Sequence, residues 1–334
     1  MVKKKKVLIT GGGGFIGTSL AERLATHNDV TLLDIDFDHN AFAFSNLGDK
    51  KNITLIKADI LDSQAFAAVA QDAQVVVHTA ALLGVQEVIR NALYTLDVNY
   101  IGTSNLLKMV SQSPRCERLV FLSTSEIFGS NAFRTAEDGN SILSSVQDIR
   151  WSYCISKLAA EHLVLSYFRQ KRLPAVVVRP FNVFGPKRQG DHVVLRFIVK
   201  ALRNEDLEVY GDGTQIRAWC YIDDFCDALL ECVVNEKAVG QAFNIGNPRN
   251  TLTVYELAKK VVSLCKSTSS IVFRAMDFTD VDIRVPNTSK ARDILGFVPK
   301  IELEEGLSRT IEWVKLHLDQ LNLILTTKKR QYLV

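Results

Sequence analysis

Six short runs in the first 180 residues are apolar almost throughout: "VLIT" (7–10), "VTLLDI" (30–35), "ITLIKA" (53–58), "VVVH" (75–78), "LVFLS" (119–123) and "AVVVRP" (175–180). Between most of them, apolar residues recur at steps of three and four, as in "SNLLKMV" (104–110) and "SKLAAEHLVLSYF" (156–168). A strand that shows one face to water alternates apolar and polar residues, whereas a strand covered on both faces does not. The pattern therefore predicts parallel strands separated by helices, which is a doubly wound α/β arrangement.

After Pro180 the texture changes. Loops lengthen ("NVFGPKRQGD", "YGDGTQIRAW", "NIGNPRNT"), and the regular alternation of strand and helix fades. Shorter elements are expected here: helices near 193–203, 224–234, 253–265 and 303–317, and a strand near 207–210. Residues 1–180 and 181–334 thus read as a larger and a smaller α/β domain, with some segments of the second returning to the first. No internal repeat or low-complexity segment interrupts either part.

Composition narrows the function. The chain has 334 residues, 47% of them apolar, and a formal net charge of +3. That balance gives no reason to expect a nucleic-acid or membrane-surface partner. Lys3 to Lys6 directly precede a strand and read as its solvated entry. No apolar stretch has the length of a membrane span, and the first residues lack a signal-peptide core, so a soluble cytoplasmic protein is expected. Six cysteines never approach C-x-x-C spacing, and Cys226 and Cys232 fall at helical apolar positions. They read as buried small hydrophobes, and no metal site is expected.

The first strand runs into "TGGGGFIG", which opens a helix. Gly12, Gly14 and Gly17 spell G-x-G-x-x-G, while Gly11, Gly14 and Gly17 spell G-x-x-G-x-x-G. Either way the glycines permit a tight turn, close approach of backbone to a pyrophosphate, and close packing of helix on strand. The next strand ends at Asp34, 17 residues past Gly17. An acid there accepts from the adenosine ribose hydroxyls and repels a 2′-phosphate, so NAD is the expected cofactor of a Rossmann-type domain.

Candidate chemistry lies in "WSYCISK", where Tyr153 and Lys157 are four apart on a helix and share a face. A nearby ammonium stabilises a phenolate, which makes tyrosine usable as a base. Thr124, in "FLSTSEIFG" at a strand end, offers a hydroxyl to the same substrate oxygen. Such a trio can take a proton from a sugar hydroxyl while hydride leaves its carbon.

With these residues in place, the chain resembles the extended short-chain dehydrogenase/reductase family, in its nucleotide-sugar epimerase, dehydratase and decarboxylase group. The match runs from about residue 5 to about residue 315. The G-x-x-G-x-x-G register is the one the resemblance implies, with Gly11, Gly14, Phe15, Ile16 and Gly17 in the cofactor turn. "KADILD" is similar to the family's adenine-contacting segment, implying adenine contacts by Asp59 and Ile60. "VVVHTAA" is similar to its H-x-A-A segment, so His78, Ala80 and Ala81 would line the cofactor channel. Asn99 in "DVNYIGT" resembles the asparagine that braces the active-site helix, and it counts among the cofactor-side residues with Tyr153 and Lys157. Further along, Asn182 in "RPFNVFGP" matches a donor to a substrate phosphate, and Arg217 in "GDGTQIRAW" matches the arginine that clamps the diphosphate. Asp223 and Asp224 read as caps of the following helix. The resemblance also implies a homodimer built from helices near 90–111 and 151–170.

Three outcomes begin alike, with oxidation at C4 of the sugar: inversion, loss of water, or loss of carbon dioxide. Ser125 and Glu126 stand where simple 4-epimerases usually carry small residues. The T-S-E triplet of residues 124–126 is similar to that of UDP-glucuronate decarboxylases, which add an arginine in a C-terminal R-x-P segment. "DVDIRVPNTSKAR" puts Arg284 there, as a catalytic and substrate-binding candidate, although the segment departs from the usual R-x-P-D. Phe128 also replaces the usual tyrosine of V-Y-G. The expected activity is UDP-glucuronate decarboxylation, with a UDP-sugar 4-epimerase or an NDP-sugar 4,6-dehydratase as alternatives. A non-catalytic NAD-binding regulator is a different class, and such proteins typically lose the tyrosine or lysine that this chain keeps.

Overall fold

The computed structural model describes residues 3–190, 192–276 and 279–331, with side chains to residue 321. The chain begins with β1 (Lys6–Thr10), α1 (Phe15–Leu24), β2 (Asp29–Asp34), β3 (Ile53–Lys57), α2 (Ser63–Asp72) and β4 (Val75–His78). Three helices follow: α3 (Val85–Arg90), α4 (Ala92–Leu96) and α5 (Gly102–Val110). Next come β5 (Arg118–Leu122), β6 (Asn131–Thr135), the long helix α6 (Ser152–Lys171) and β7 (Ala175–Pro180). The second half opens with β8 (Val183–Phe184), α7 (Val193–Leu202), β9 (Leu207–Tyr210), β10 (Ile216–Ala218) and β11 (Cys220–Tyr221). It continues through α8 (Ile222–Val234), β12 (Ala242–Ile245), β13 (Thr251–Thr253) and α9 (Val254–Cys265). Strands β14 (Ile271–Arg274) and β15 (Ile283–Pro286) and helices α10 (Ser289–Leu295) and α11 (Leu303–Gln331) complete it.

Seven strands pair in the order β12-β7-β5-β4-β1-β2-β3, all parallel. This is a Rossmann-type doubly wound α/β fold. The central strands explain why their sequences read as unbroken apolar runs. Val7 and Ile9 of β1 pack into one hydrophobic layer, and Leu8 between them packs into the layer on the opposite face. Every residue of β4 and β5 is buried. Helix α8 contributes to the first layer and helix α5 to the second. The strand order reverses between β1 and β4, and in open parallel sheets a ligand crevice forms beyond the strand ends at such a point.

The elements expected near 193–203, 207–210, 224–234 and 253–265 form within two residues of those limits, while the last helix runs on to Gln331. The chain crosses residue 180 in both directions. Strand β12 comes from the second half yet pairs with β7 in the main sheet. Conversely, β6 comes from the first half and pairs with β15 in a separate sheet ordered β13-β10-β15-β6. These exchanges bring β15 against the segment that follows Thr124, and the site depends on that. A small third cluster, including Phe128, Trp151, Cys154 and Phe181, fills the space between the two sheets' contributions.

One local expectation is corrected. Asp223 and Asp224 do not cap α8, whose N-terminus has no side-chain cap. Asp224 instead accepts from the backbone N–H groups of Lys300 and Ile301, and Asp223 pairs with Arg23 of α1. Both acids still sit in the first turn, where the helix dipole favours them.

Candidate active site

The glycine turn occupies the crevice at the end of β1. Gly11 has φ +69°, a left-handed conformation, and a Cβ there would lie 2.6 Å from the amide nitrogen of Ala80. At Gly17 a Cβ would lie 2.3 Å from the Gly11 carbonyl oxygen, so the helix touches the turn only because both residues are glycine. Gly14 is the N-cap of α1 and brings no side chain to the helix's first N–H groups. Gly11 thus supplies the left-handed turn and Gly14 the uncapped helix start, while close packing is required at Gly12 and Gly13 as well as at Gly17. Phe15 and Ile16 supply the first N–H groups of α1, an arrangement suited to a pyrophosphate.

Asp34 ends β2 beside this turn. Its Oδ2 accepts from the Gly13 N–H at 2.9 Å, and its Oδ1 accepts from Asp36 N–H at 3.2 Å. Burial raises its pKa, and these backbone donors oppose the rise. Asp59 accepts from the Tyr94 hydroxyl and the Leu61 N–H, with Ile60 buried next to it. Ala80 and Ala81 follow β4, half-buried opposite Gly11. These features fit a dinucleotide lying across the switch point.

His78 is sealed beneath that crevice. The Thr103 hydroxyl donates to the Asn99 carbonyl, so its oxygen accepts from Nε2–H of His78 at 2.9 Å. Nδ1 is then the acceptor for the Thr10 hydroxyl at 2.6 Å. Burial, with the Lys157 charge nearby, lowers the ring's pKa to about 3. His78 is a neutral strut between β1 and α5.

Asn99 lies where the chain runs from α4 into α5 through one π-helical turn, Asp97–Ile101. Such turns widen a helix and re-aim its side chains, often at functional sites. The Asn99 side chain reaches Leu82 through both its oxygen and its nitrogen, and it donates to Ser156 Oγ at 3.0 Å. Ser156 in turn donates to the Tyr153 carbonyl. The brace holds the first turns of α6, which carry Tyr153 and Lys157.

Lys157 is buried, with its ammonium 4.4 Å from the centre of the Phe121 ring. Burial lowers its pKa to about 7, against the opposing charge of Glu161 one turn further along. Burial and the Glu126 charge push the Tyr153 phenol well above its ordinary value, while a hydrogen bond with Thr124 and the Arg284 charge offset part of the rise. Thr124 caps the short 3-10 turn Ser125–Phe128, its Oγ1 accepting from Glu126 N–H at 3.2 Å. Its own proton is left to point toward Tyr153 or a substrate oxygen. Ser125 is buried, and its hydroxyl has no partner within the described residues.

Glu126 is the centre of a buried ionic cluster. Its Oε2 lies 2.5 Å from Arg150 Nη1, and its Oε1 lies 3.2 Å from Arg284 Nη2. Burial alone would raise the Glu126 pKa, but Arg284, Arg150 and Arg217 together hold it at about 2. Arg284 of β15 is the register partner of Arg217 on β10. Arg217 donates to the backbone carbonyls of Val281 and Asp282 and pairs with Asp280 at 3.0 Å. Arg150 lies 3.8 Å from the other oxygen of Asp280. Asn182, at φ +39°, donates to the Ala218 carbonyl at the edge of this region.

Thus Thr124, Ser125, Glu126, Tyr153, Lys157 and Arg284 converge, with Arg217 beyond them. Sequence reasoning did not single out Arg150 or Asp280. Arg150 had one available signal: it stands three residues before Tyr153, in the 3-10 turn that leads into α6.

A family model for the "NAD dependent epimerase/dehydratase family" matches residues 7–246. A UDP-N-acetyl-alpha-D-glucosaminuronate decarboxylase of Bacillus cytotoxicus is 34% identical over 322 residues, covering 93% of this chain and 98% of its own. UDP-glucuronic acid decarboxylase 1 of Danio rerio is 32% identical, covering 95% of this chain and 74% of its own. Among solved structures, UDP-glucuronic acid 4-epimerase of Bacillus cereus, in complex with UDP-glucuronic acid and NAD, superposes with a TM-score of 0.86. It is 26% identical and covers 93% of this chain and 99% of its own. The chain belongs to the NAD dependent epimerase/dehydratase family, within the extended short-chain dehydrogenases. It is an NAD-dependent enzyme of nucleotide-sugar modification.

The buried histidine gives the fold a pH dependence. Its folded pKa lies below its unfolded value, so the stability it confers is present above about pH 6.5 and is lost as pH falls toward the folded value. His192, lowered by burial and by Arg188 and Arg196, acts in the same direction. Replacing His78 with Gln is expected to reduce the slope of stability against pH by up to one proton, about 1.4 kcal/mol per unit between about pH 6.5 and 4.5. Urea unfolding at the two ends of that window measures it; an unchanged slope counts against the assignment.

Proposed function

We propose that this protein decarboxylates a UDP-linked uronic acid after transient oxidation at C4. The state of Glu126 carries this reading. Dehydration across C5 and C6 needs a carboxylate that takes the C5 proton, and base strength falls with pKa. Glu126, held at about 2 by its arginines, is a poor base. Decarboxylation needs no base at C5.

When bound, NAD accepts the C4 hydride and later returns it, and its cationic ring favours the Tyr153 phenolate. Tyr153 takes the proton of the C4 hydroxyl, Thr124 donates to the same oxygen, and Lys157 holds positive charge behind the phenol. The C6 carboxylate is then β to a ketone. Its bond to C5 breaks, carbon dioxide leaves, and the electron pair passes into an enolate whose oxygen Tyr153 and Thr124 stabilise as preorganised donors. A proton from water then adds at C5, and Tyr153 returns its proton to the C4 oxygen as C4 is reduced. Asp34 serves the adenosine ribose, Asp59 and Ile60 the adenine, and Ala80, Ala81 and Asn99 the remainder of the cofactor side. Asn182 and Arg217 serve the diphosphate.

Incubation with UDP-glucuronate and UDP-N-acetylglucosaminuronate, each labelled at C6, is expected to release labelled carbon dioxide from at least one. A uronate returned with unchanged mass and inverted C4 would replace this reading with the epimerase. Tyr153→Phe is expected to keep NAD binding while turnover falls by about 10²–10⁴-fold, the usual weight of general base catalysis. Turnover equal to wild type in that variant would remove Tyr153 from the mechanism.

We also propose a cytoplasmic homodimer joined through α4, α5 and α6. Leu93 is 81% exposed, and Tyr100, Ile101 and Ile155 are also exposed on this face. The six cysteines are free thiols, consistent with a reducing compartment. Leu93→Asp is expected to shift the sedimentation coefficient from dimer to monomer; a monomeric wild type would refute the interface.

A further inference from the structure

A carboxylate as enclosed as Glu126, 13% exposed, keeps its charged form most readily while it is paired, because an uncompensated charge largely removed from water carries a heavy desolvation penalty. Glu126 has two direct partners, and they differ. Arg150 is the closer, at 2.5 Å, and its side chain is 4% exposed. It is enclosed by the Trp151 ring at 5.2 Å, by Glu126 and by Asp280. Arg284 stands further off, at 3.2 Å, with its side chain 11% exposed. The other groups that face Glu126 are Arg217 from β10, Asp280 ahead of β15, and Tyr153 and Cys154 from α6. The phenol and the thiol both have raised pKa values, so neither is charged at neutral pH.

A uronate substrate adds another carboxylate to this cluster. The three guanidiniums of Arg150, Arg217 and Arg284 face two acids, Glu126 and Asp280, so one positive charge is in excess before substrate arrives. Arg284, less enclosed and less tightly held, is the side chain able to turn to the newcomer. Turning away would leave Glu126 unpaired were Arg150 not there.

We propose that Arg150 is a positioning residue that keeps Glu126 paired while Arg284 transfers to the carboxylate of the substrate. This rests on the uronate reading given above. Two features support it: the two arginines grip opposite oxygens of one carboxylate, and Arg150 is anchored in the turn that leads into α6. One partner can therefore leave without displacing the other. In the intact protein the exchange needs no proton. In a protein without Arg150, Glu126 would lose its remaining direct partner and take up a proton instead. Substrate binding would then weaken as pH rises, by up to about tenfold per pH unit.

The test is calorimetric titration of the NADH-loaded protein, which cannot oxidise C4, with UDP-glucuronate between about pH 6 and about pH 8. Buffers of different ionisation heat report the protons exchanged, and UDP-glucose, which lacks the carboxylate, is the control. Wild type is expected to take up no proton. R150M is expected to take up about one proton with UDP-glucuronate and none with UDP-glucose, and E126Q/R150M is expected to lose the effect. R150K, which keeps the charge, is expected to behave as wild type; proton uptake there overturns the proposal, and this arm carries the test if R150M does not fold. R150M without proton uptake, or with equal uptake for both ligands, overturns the proposal while leaving the uronate reading intact. Wild type that binds UDP-glucose but not UDP-glucuronate overturns the uronate reading and this proposal with it.

Discussion

Arg179 and Glu161 meet on the buried face of α6, and the candidate chemistry of the protein hangs on that helix. Both side chains are almost wholly enclosed, and Arg179 reaches both carboxylate oxygens through Nε and Nη2. A further bond from Arg179 goes to the Glu137 carbonyl, and its guanidinium lies over the Phe128 ring. Breaking such a pair by removing one partner typically costs about 3–5 kcal/mol, because the other charge stays buried. Its consequence here is positional. Glu161, Lys157 and Tyr153 are spaced by four on one helical face, so fixing Glu161 to β7 fixes the angle at which the other two meet the sheet. Asn99 performs the same service at the other end of the helix through Ser156. The helix is held at two points, and Lys157 lies between them.

This arrangement leaves the protein with much buried charge, and the charges fall into two groups with different work. Lys157 and Glu161 lie on the side of the glycine turn and β4, where burial lowers the lysine's pKa to about 7 and Glu161 limits the fall. The three arginines and two acids lie on the substrate side, where the guanidiniums outweigh burial and keep Glu126 ionised. A buried ion pair is weak evidence for stability. A group of them with excess positive charge is what the carboxylate of the proposed uronate substrate would meet.

Much of this could be read from the chain because it is local. The six apolar runs became strands, those at the middle of the sheet buried on both faces and the edge strand β3 partly exposed, and Tyr153 and Lys157 share a face by helical spacing alone. The glycine turn was legible because a left-handed residue and a Cβ clash are properties of single positions. What escaped depends on partners far away in sequence. Nothing in "AFNI" shows that β12 pairs with β7 across 60-odd residues of other structure, since a four-residue strand has too little pattern to declare its neighbour. Arg150 looks like any arginine beside a turn until Glu126, 24 residues away, is folded onto it. Asp280 was invisible for the same reason, as its partners Arg217 and Arg150 come from two different elements.

The residues that join the two charge groups are those of the turn after β5. Thr124 accepts from the Glu126 N–H, and the Cys154 thiol, next to Tyr153, donates to the Glu126 carbonyl at 3.0 Å. The Thr124 hydroxyl and the carboxylate that meets the arginines are thus two residues apart at one short 3-10 turn, tied through the Cys154 thiol to the helix that carries Tyr153. A shift of Glu126 would move Thr124 with it, since the cap bond spans both. The same turn rests on β6 and, through it, on β15, the strand that brings Arg284. The two steps proposed above, proton transfer by Tyr153 with Thr124 and carboxylate recognition by Arg284, would therefore be set by one piece of backbone. The pairing of β6 from the first half with β15 from the second is what places Arg284 within reach of a turn on the main sheet, so the exchange of strands between the halves assembles the candidate site.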